Sequence, residues 1–273
     1  MSTLRTSILI AIFALGVNAE PAAQGKISRQ QATQGSQTAL AADLRNASEE
    51  RRVAAAAQVL IVSKAERSHE VILASISELN RKNAEAGELN RRGGRQPGDA
   101  VSPTDSRNYI GDLVKIVAES RREEGIPALA AAIAYGAAKP AQDALAAFGP
   151  TALEAVIKQV NDNDGYADAC VGLLLTLTRM VRANPQLAEP PYRQRIALGI
   201  APFLTGKRFA PVVTLTMDLA YSIDDDQLKS IIKSIADKGP KSVGLVLPNA
   251  DYESRVREAA RRLQVRTPIR SVR

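Results

Sequence analysis

From Gly125 onward the sequence is cut into short apolar runs of helical period, each bracketed by glycine or proline. No other feature limits its possible folds as strongly. The first four runs read IPALAAAIAYG, AKPAQDALAAFG, PTALEAVIKQV and YADACVGLLLTLTRMV. Pro127, Pro140 and Pro150 fall in first turns, where the missing proline N–H has no intrahelical acceptor to lose. Gly136 and Gly149 fall where a chain leaving a helix favours a left-handed residue. Leu129 with Ile133, Leu145 with Phe148, and Leu153 with Ile157 give each run one apolar stripe. Helices of about three turns joined by so few residues must lie antiparallel to their neighbours.

Later runs extend the pattern: 191–204 (PYRQRIALGIAPFL) paired with 210–221 (APVVTLTMDLAY), then 226–238 paired with 250–264 across a short apolar piece, SVGLVLP. Val212–Val213 and Ile231–Ile232 are β-branched, but their length and period favour helix, and no alternating pattern flanks a tight glycine turn. Upstream, Leu40, Leu44 and Ala47, then Val53, Ala57 and Leu60, then Ile72, Ile76 and Leu79 each draw an i, i+4, i+7 stripe. Val59 to Val62 thicken the second of these. Residues 36–89 therefore read as an N-terminal helical segment. Residues 90–105 (NRRGGRQPGDAVSPTD in full) read as a linker, from their glycines, prolines and lack of apolar period. Asp105 or Ser106 is placed to cap the helix through Tyr109, Leu113, Ile116 and Val117.

The openings IPAL (126–129) and PTAL (150–153), the linking ALAAFGPTAL (144–153) and the run SRVREAARRL (254–263) carry a resemblance, with RRVAAAAQVL (51–60) a weaker echo. Over roughly residues 126–266 the chain resembles the HEAT-repeat family of α-helical solenoids. The resemblance implies an all-α stack of short antiparallel helix pairs over 106–264, binding a protein or peptide partner along one row of helices without any cofactor. The physical reason for stacking is independent of the name: a single pair cannot bury its apolar stripe, and neighbours together build a continuous core.

Residues 1–19 have the layout of a secretory signal peptide: Arg5, an apolar run from Ile8 to Val17, and small residues Val17 and Ala19 before a cleavage point at Glu20. Residues 20–35 read as a flexible leader. No later stretch approaches the ~18 apolar residues of a membrane span. The expectation is an exported, periplasmic or secreted protein. Charge is concentrated at the other end. From Arg255 onward there are seven arginines and one acid, Glu258, whereas residues 20–254 hold 28 basic and 28 acidic residues. On a helix through 251–264, Val256, Ala260 and Leu263 face the core, and Glu253–Arg257 and Glu258–Arg262 are i, i+4 pairs. Residues 265–273 continue as a basic tail. Arg255, Arg261, Arg262, Arg266, Arg270 and Arg273 are thus candidate contacts for an anionic partner such as an envelope polymer or lipid head group.

Catalytic chemistry finds little purchase. The chain has one His and one Cys, which excludes a disulfide framework and any multi-His or multi-Cys zinc site within one chain. His69 reads as a polar-face helix residue and Cys170, among apolar neighbours, as a small core residue. Asn161 to Asp168 (NDNDGYAD) fails the EF-hand pattern, because counting from Gly165 puts Val160 at the first ligand position and Thr176 at the last. It reads as a turn with capping, and Asp224–Asp226 as a helix start. An enzyme using Asp162, Asp164 or Asp168 is the weakest alternative. Asn46-Ala47-Ser48 matches a glycosylation acceptor but falls in an expected helix. There is no Walker A loop, dinucleotide fingerprint or G-x-S-x-G elbow. The expectation is a non-enzymatic scaffold for a protein or peptide, with an anionic-surface binder as the alternative and no nucleic-acid partner.

Overall fold

Pro150 at a first helical position and the carboxylate of Asp225, which accepts the Leu228 N–H at 2.9 Å, show how local sequence sets the helix starts. The computed structural model describes residues 34–91, 106–134 and 138–265. The expected signal peptide (1–19), most of the expected leader, residues 92–105 of the expected linker, Gly136 and the expected tail with Arg266, Arg270 and Arg273 lie outside the described residues. Among the described residues the chain is all-helical apart from two short strands. The helices are α1 (34–44), α2 (Glu49–Ile61), α3 (His69–Arg91), α4 (Ser106–Ser120), α5 (Ile126–Ala134) and α6 (Ala138–Phe148). They continue with α7 (Pro150–Asp162), α8 (Ala167–Ala183), α9 (Tyr192–Ile200), α10 (Ala210–Ser222), α11 (Asp226–Lys238) and α12 (Ala250–Val265).

Packing follows two series. Contacts run from α2 to α4, α6, α8, α10 and α12 in turn, and from α3 to α5, α7 and α9. Between the series α3 meets α4, α5 meets α6 and α7 meets α8, while α11, in neither series, meets α12 and α10. The stripes read from the sequence supply the core: Leu129, Leu145, Leu153, Val256 and Ala260 are all buried. Each such leucine contributes about 1.5–3 kcal/mol by leaving water. Gly199 lets α9 ride close on α7, since a Cβ there would lie 2.7 Å from Cγ2 of Ile157.

Gly149, between α6 and α7, has the expected positive φ, 59°, but its ψ of −130° lies outside the left-handed helical well. The space around it is the second constraint. A Cβ would meet Oδ1 of Asn184 at 2.8 Å, and the Asn184 amide is held there by donating to the Ala146 carbonyl at 2.7 Å.

Four expectations need correction. The first helix ends at residue 44, so Ala47 is exposed and Asn46-Ala47-Ser48 is a turn, in which Asn46 Oδ1 accepts the Ser48 N–H at 3.0 Å. On α2 the buried face is Arg52, Ala55, Ala56 and Val59; Ala57 is exposed, Val53 and Leu60 are half-buried, and Ile61 is 86 % exposed. In an alanine-rich helix either register satisfies a 3.6-residue period, and the partner helices decide. The third concerns the pairing of 191–204 with 210–221. Helix α9 rests chiefly on α7, while the 3-10 turn Ala201–Leu204 contacts α10. Finally, SVGLVLP contributes strand β2 (Leu245–Val246), parallel to β1 (Gly206–Lys207) with Gly206 opposite Leu245. A two-residue ladder between distant loops leaves no periodicity to read.

Candidate functional site

The helical period sorts the α12 arginines onto two faces. Arg255 and Arg262, with Glu258 between them, form the rim of a shallow depression of about 420 Å³ between α10 and α12. Ala259 and Leu263 lie in it, and Thr214 and Asp218 of α10 face them across it. Arg255 pairs with Asp251 at 2.9 Å and sits 5.9 Å from the Tyr252 ring centre. Arg262 pairs with Glu258 at 3.1 Å, as its spacing predicts. A groove with an apolar floor and a rim of both signs suits a peptide or a protein edge, the usual anatomy of a polar-rimmed interface.

Arg257 and Arg261 turn the other way, onto the C-terminus of α11. Arg257 donates to the carbonyls of Ala236 at 3.0 Å and Asp237 at 2.5 Å, and Arg261 to Ala236 at 3.3 Å. The expected Glu253–Arg257 pair is therefore not made, and Glu253 pairs with Lys241 at 3.1 Å instead. The last carbonyls of a helix lack intrahelical donors and carry the negative end of its dipole. A guanidinium satisfying them outweighs an i, i+4 pair of a few tenths of a kcal/mol. Of the candidate anion contacts, then, Arg255 and Arg262 stand on the groove and Arg261 is committed to α11.

A second depression, about 380 Å³, lies where Tyr221, Lys229, Lys233 and Gln264 meet. Lys229 pairs with Asp224 and lies 5.8 Å from the Tyr221 ring, while burial pushes the Tyr221 phenol up and Lys229 partly opposes it. The turns leading into α8, α10 and α12 are tied to one another. Asp164 pairs with Arg208 at 3.1 Å, and β1 pairs with β2. Tyr166 and Phe209, the residues that open α8 and α10, are exposed, as is Val246.

The remaining candidates are placed as follows. His69 is the exposed first residue of α3. Cys170 is fully buried, its thiol hydrogen-bonded to the Asn163 carbonyl at 3.1 Å, and burial with the nearby Asp164 pushes it up to about 11. A nucleophilic thiol needs the opposite shift. The Asn161–Asp168 run is a turn, but its amides cap the helix before it: Asn161 donates to Ile157 O and Asn163 to Gln159 O. Helix α8 instead opens at Tyr166 without a side-chain cap. Asp162 pairs with Lys158, and Asp168 lies in the first turn of α8. Among the described residues no group of three His, Cys, Asp or Glu could hold a metal ion, and no helix is long and apolar enough to cross a membrane.

A cluster that the sequence reading missed lies in the first helices. The Glu78 carboxylate, almost fully buried, accepts from Arg52 Nε at 2.9 Å, from Arg81 at 2.5 and 2.7 Å, and from the Tyr109 hydroxyl at 2.5 Å. Burial would raise its carboxyl, but hydrogen bonds from Arg81 and Tyr109 and the charges of Arg81 and Arg52 hold it below the ordinary range. Burial and the adjacent Glu78 push the Tyr109 phenol up. The available signal was a charge inside a stripe: Val71, Ser75 and Glu78 are spaced i, i+4, i+7, and all three are buried.

No family model, no curated protein and no solved structure matches this chain.

Proposed function

We propose that this chain is an exported, non-enzymatic interaction scaffold, a HEAT-like stack of helix pairs that holds a protein or peptide partner in the groove between α10 and α12. The observation that carries the reading is the pair of contact series, α2 through α12 and α3 through α9. Helices that each touch the next member of their own series, two along in the chain, make a side-by-side surface, the geometry by which repeat proteins bind extended partners. The groove supports it with an apolar floor at Ala259 and Leu263 and charged rims at Asp218, Arg255, Glu258 and Arg262. The raised Cys170 thiol and the exposed His69 favour binding over nucleophilic chemistry.

The test is affinity capture from the native extracytoplasmic fraction with the wild type and with a Thr214→Arg, Ser254→Arg double variant that fills the groove. A partner retained by the first and lost by the second, at equal helical circular dichroism, supports the scaffold. Capture insensitive to the variant removes the groove from the reading, and turnover of any test substrate by the purified protein ends the non-enzymatic part. Export adds its own check: the secreted chain has the mass of a polypeptide starting at Glu20.

A second reading, binding to an anionic envelope component, is supported by the charge excess from Arg255 onward, seven arginines against one acid. It calls for vesicle binding that disappears at several hundred millimolar salt, where the screening length falls to a few Å.

A further inference from the structure

Glu78 stands where α2, α3 and α4 meet. Arg52 comes from α2, Arg81 from the following turn of α3, and Tyr109 from α4. The charged groups around it are Glu49 and Arg52 on α2 and Arg81, Lys82 and Glu85 on α3. Lys82 pairs with Glu49 at 2.6 Å and Glu85 at 3.4 Å and lies 5.5 Å from the Tyr109 ring. The network is neutral as a whole, three cations against three carboxylates. Arg52 extends it, donating to the carbonyls of Asn46 at 2.7 Å and Ala47 at 2.9 Å, the turn that joins α1 to α2. One carboxylate thereby fixes the turn and three helices.

The apolar adhesion of α2 is thin by comparison. Its buried apolar side chains are Ala55, Ala56 and Val59. Helix α8 buries three leucines, a methionine and a valine, with Ala169 and Cys170. A helix held by two buried alanines and a valine, with Val53 and Leu60 only half-buried against the core, depends on its polar contacts to an extent that α8 does not.

We propose that Glu78 is an acid-released latch, whose protonation frees α1 and α2 from α3 and α4 while α7 to α12 stay folded. Protonation leaves the nearly buried Arg52 guanidinium with two carbonyls and no carboxylate, an uncompensated charge in a site built for a neutral network. The latch is complete above the ordinary carboxylate value of 4.5 and is lost as pH falls through the lower folded-state value. Two other polar tethers hold α2: Lys82 through Glu49, and Arg67, which donates to the carbonyls of Val59 at 3.1 Å and Leu60 at 3.4 Å and pairs with Glu119 at 2.9 Å. The neutral isostere at Glu78 separates the latch from both.

The test is amide hydrogen exchange of the full chain, read by peptide mass spectrometry as protection factors. Glu78→Gln at pH 7 should lower protection across 49–61 by about tenfold or more, leaving 150–263 unchanged, and the wild type should show the same pattern on acidification. Tyr109→Phe removes one donor to the carboxylate and should move the opening of 49–61 to higher pH, a shift that a purely structural role for the ring does not produce. Glu154→Gln, at an exposed pair, is the control and should change nothing in 49–61. Undiminished protection over 49–61 in Glu78→Gln overturns the proposal. So does an equal loss over 150–263, or a wild type that opens everywhere at once on acidification. Should Glu78→Gln not fold, the Tyr109→Phe shift and the wild-type acid profile decide alone.

Discussion

Helices α2 and α3 and helices α7 to α10 are joined by opposite chemistry. The first pair buries Arg52, Ser75, Glu78 and Asn83 beside its apolar residues, and Asn83 donates across to the Ala128 carbonyl of α5 at 3.0 Å. In the later helices the buried surface is apolar, and Thr176, Thr178 and Thr216 return their hydroxyls to carbonyls of their own helices. Their ion pairs are outside: Arg179 with Asp143 at 2.5 Å, and Arg195 with Glu154 at 2.5 and 2.8 Å. An apolar stripe tolerates a small rotation of the helix, whereas a buried carboxylate with four hydrogen bonds does not. The alanine-rich α2 needs that constraint because its apolar face alone leaves two registers open.

The largest effect expected is in the apolar region. Leu174→Ala empties a fully buried site on α8 and should lower unfolding free energy by about 2–5 kcal/mol, measured by urea denaturation. Arg52→Ala should cost about 3 kcal/mol, the lower end for stranding a buried charge, because Arg81 and Tyr109 remain on Glu78. A loss below about 1 kcal/mol would mean that α2 is held by Ala55, Ala56 and Val59 after all, and the contrast between the regions would dissolve. Asp225→Ala removes the α11 N-cap and should cost about 1 kcal/mol by the same measurement. Smallest of all, Arg195→Ala at the exposed pair with Glu154 should leave the urea midpoint unmoved within error. A clear drop there would show that surface pairs, and not stripes, join α7 to α9.

How far the sequence could be read differs by residue. The starts at Pro150 and Asp225 and the core positions Leu129, Leu145 and Val256 were legible, since each depends on a local capping rule or on helical period. The groove was half legible: spacing placed Arg262 on Glu258, but nothing local told that Arg257 would leave Glu253 for the end of α11. Glu78 was passed over because a single charge in an apolar stripe is indistinguishable, in one sequence, from a solvated face. Asn46 was misplaced because Leu40, Leu44 and Ala47 keep the period across a turn that Asn46 itself closes.

Helix starts such as those at Pro150 and Asp225, and apolar faces such as that of Leu129 and Ile133, belong to the sequence by itself, because a helix start, its cap and its stripe are written within a few consecutive residues. Which register α2 takes, which carbonyls the arginines satisfy, and which loops meet as β1 and β2 were settled only in three dimensions. Those choices depend on groups far apart in the chain that compete for the same donor or acceptor, and the winner is set by desolvation and distance once the helices have packed.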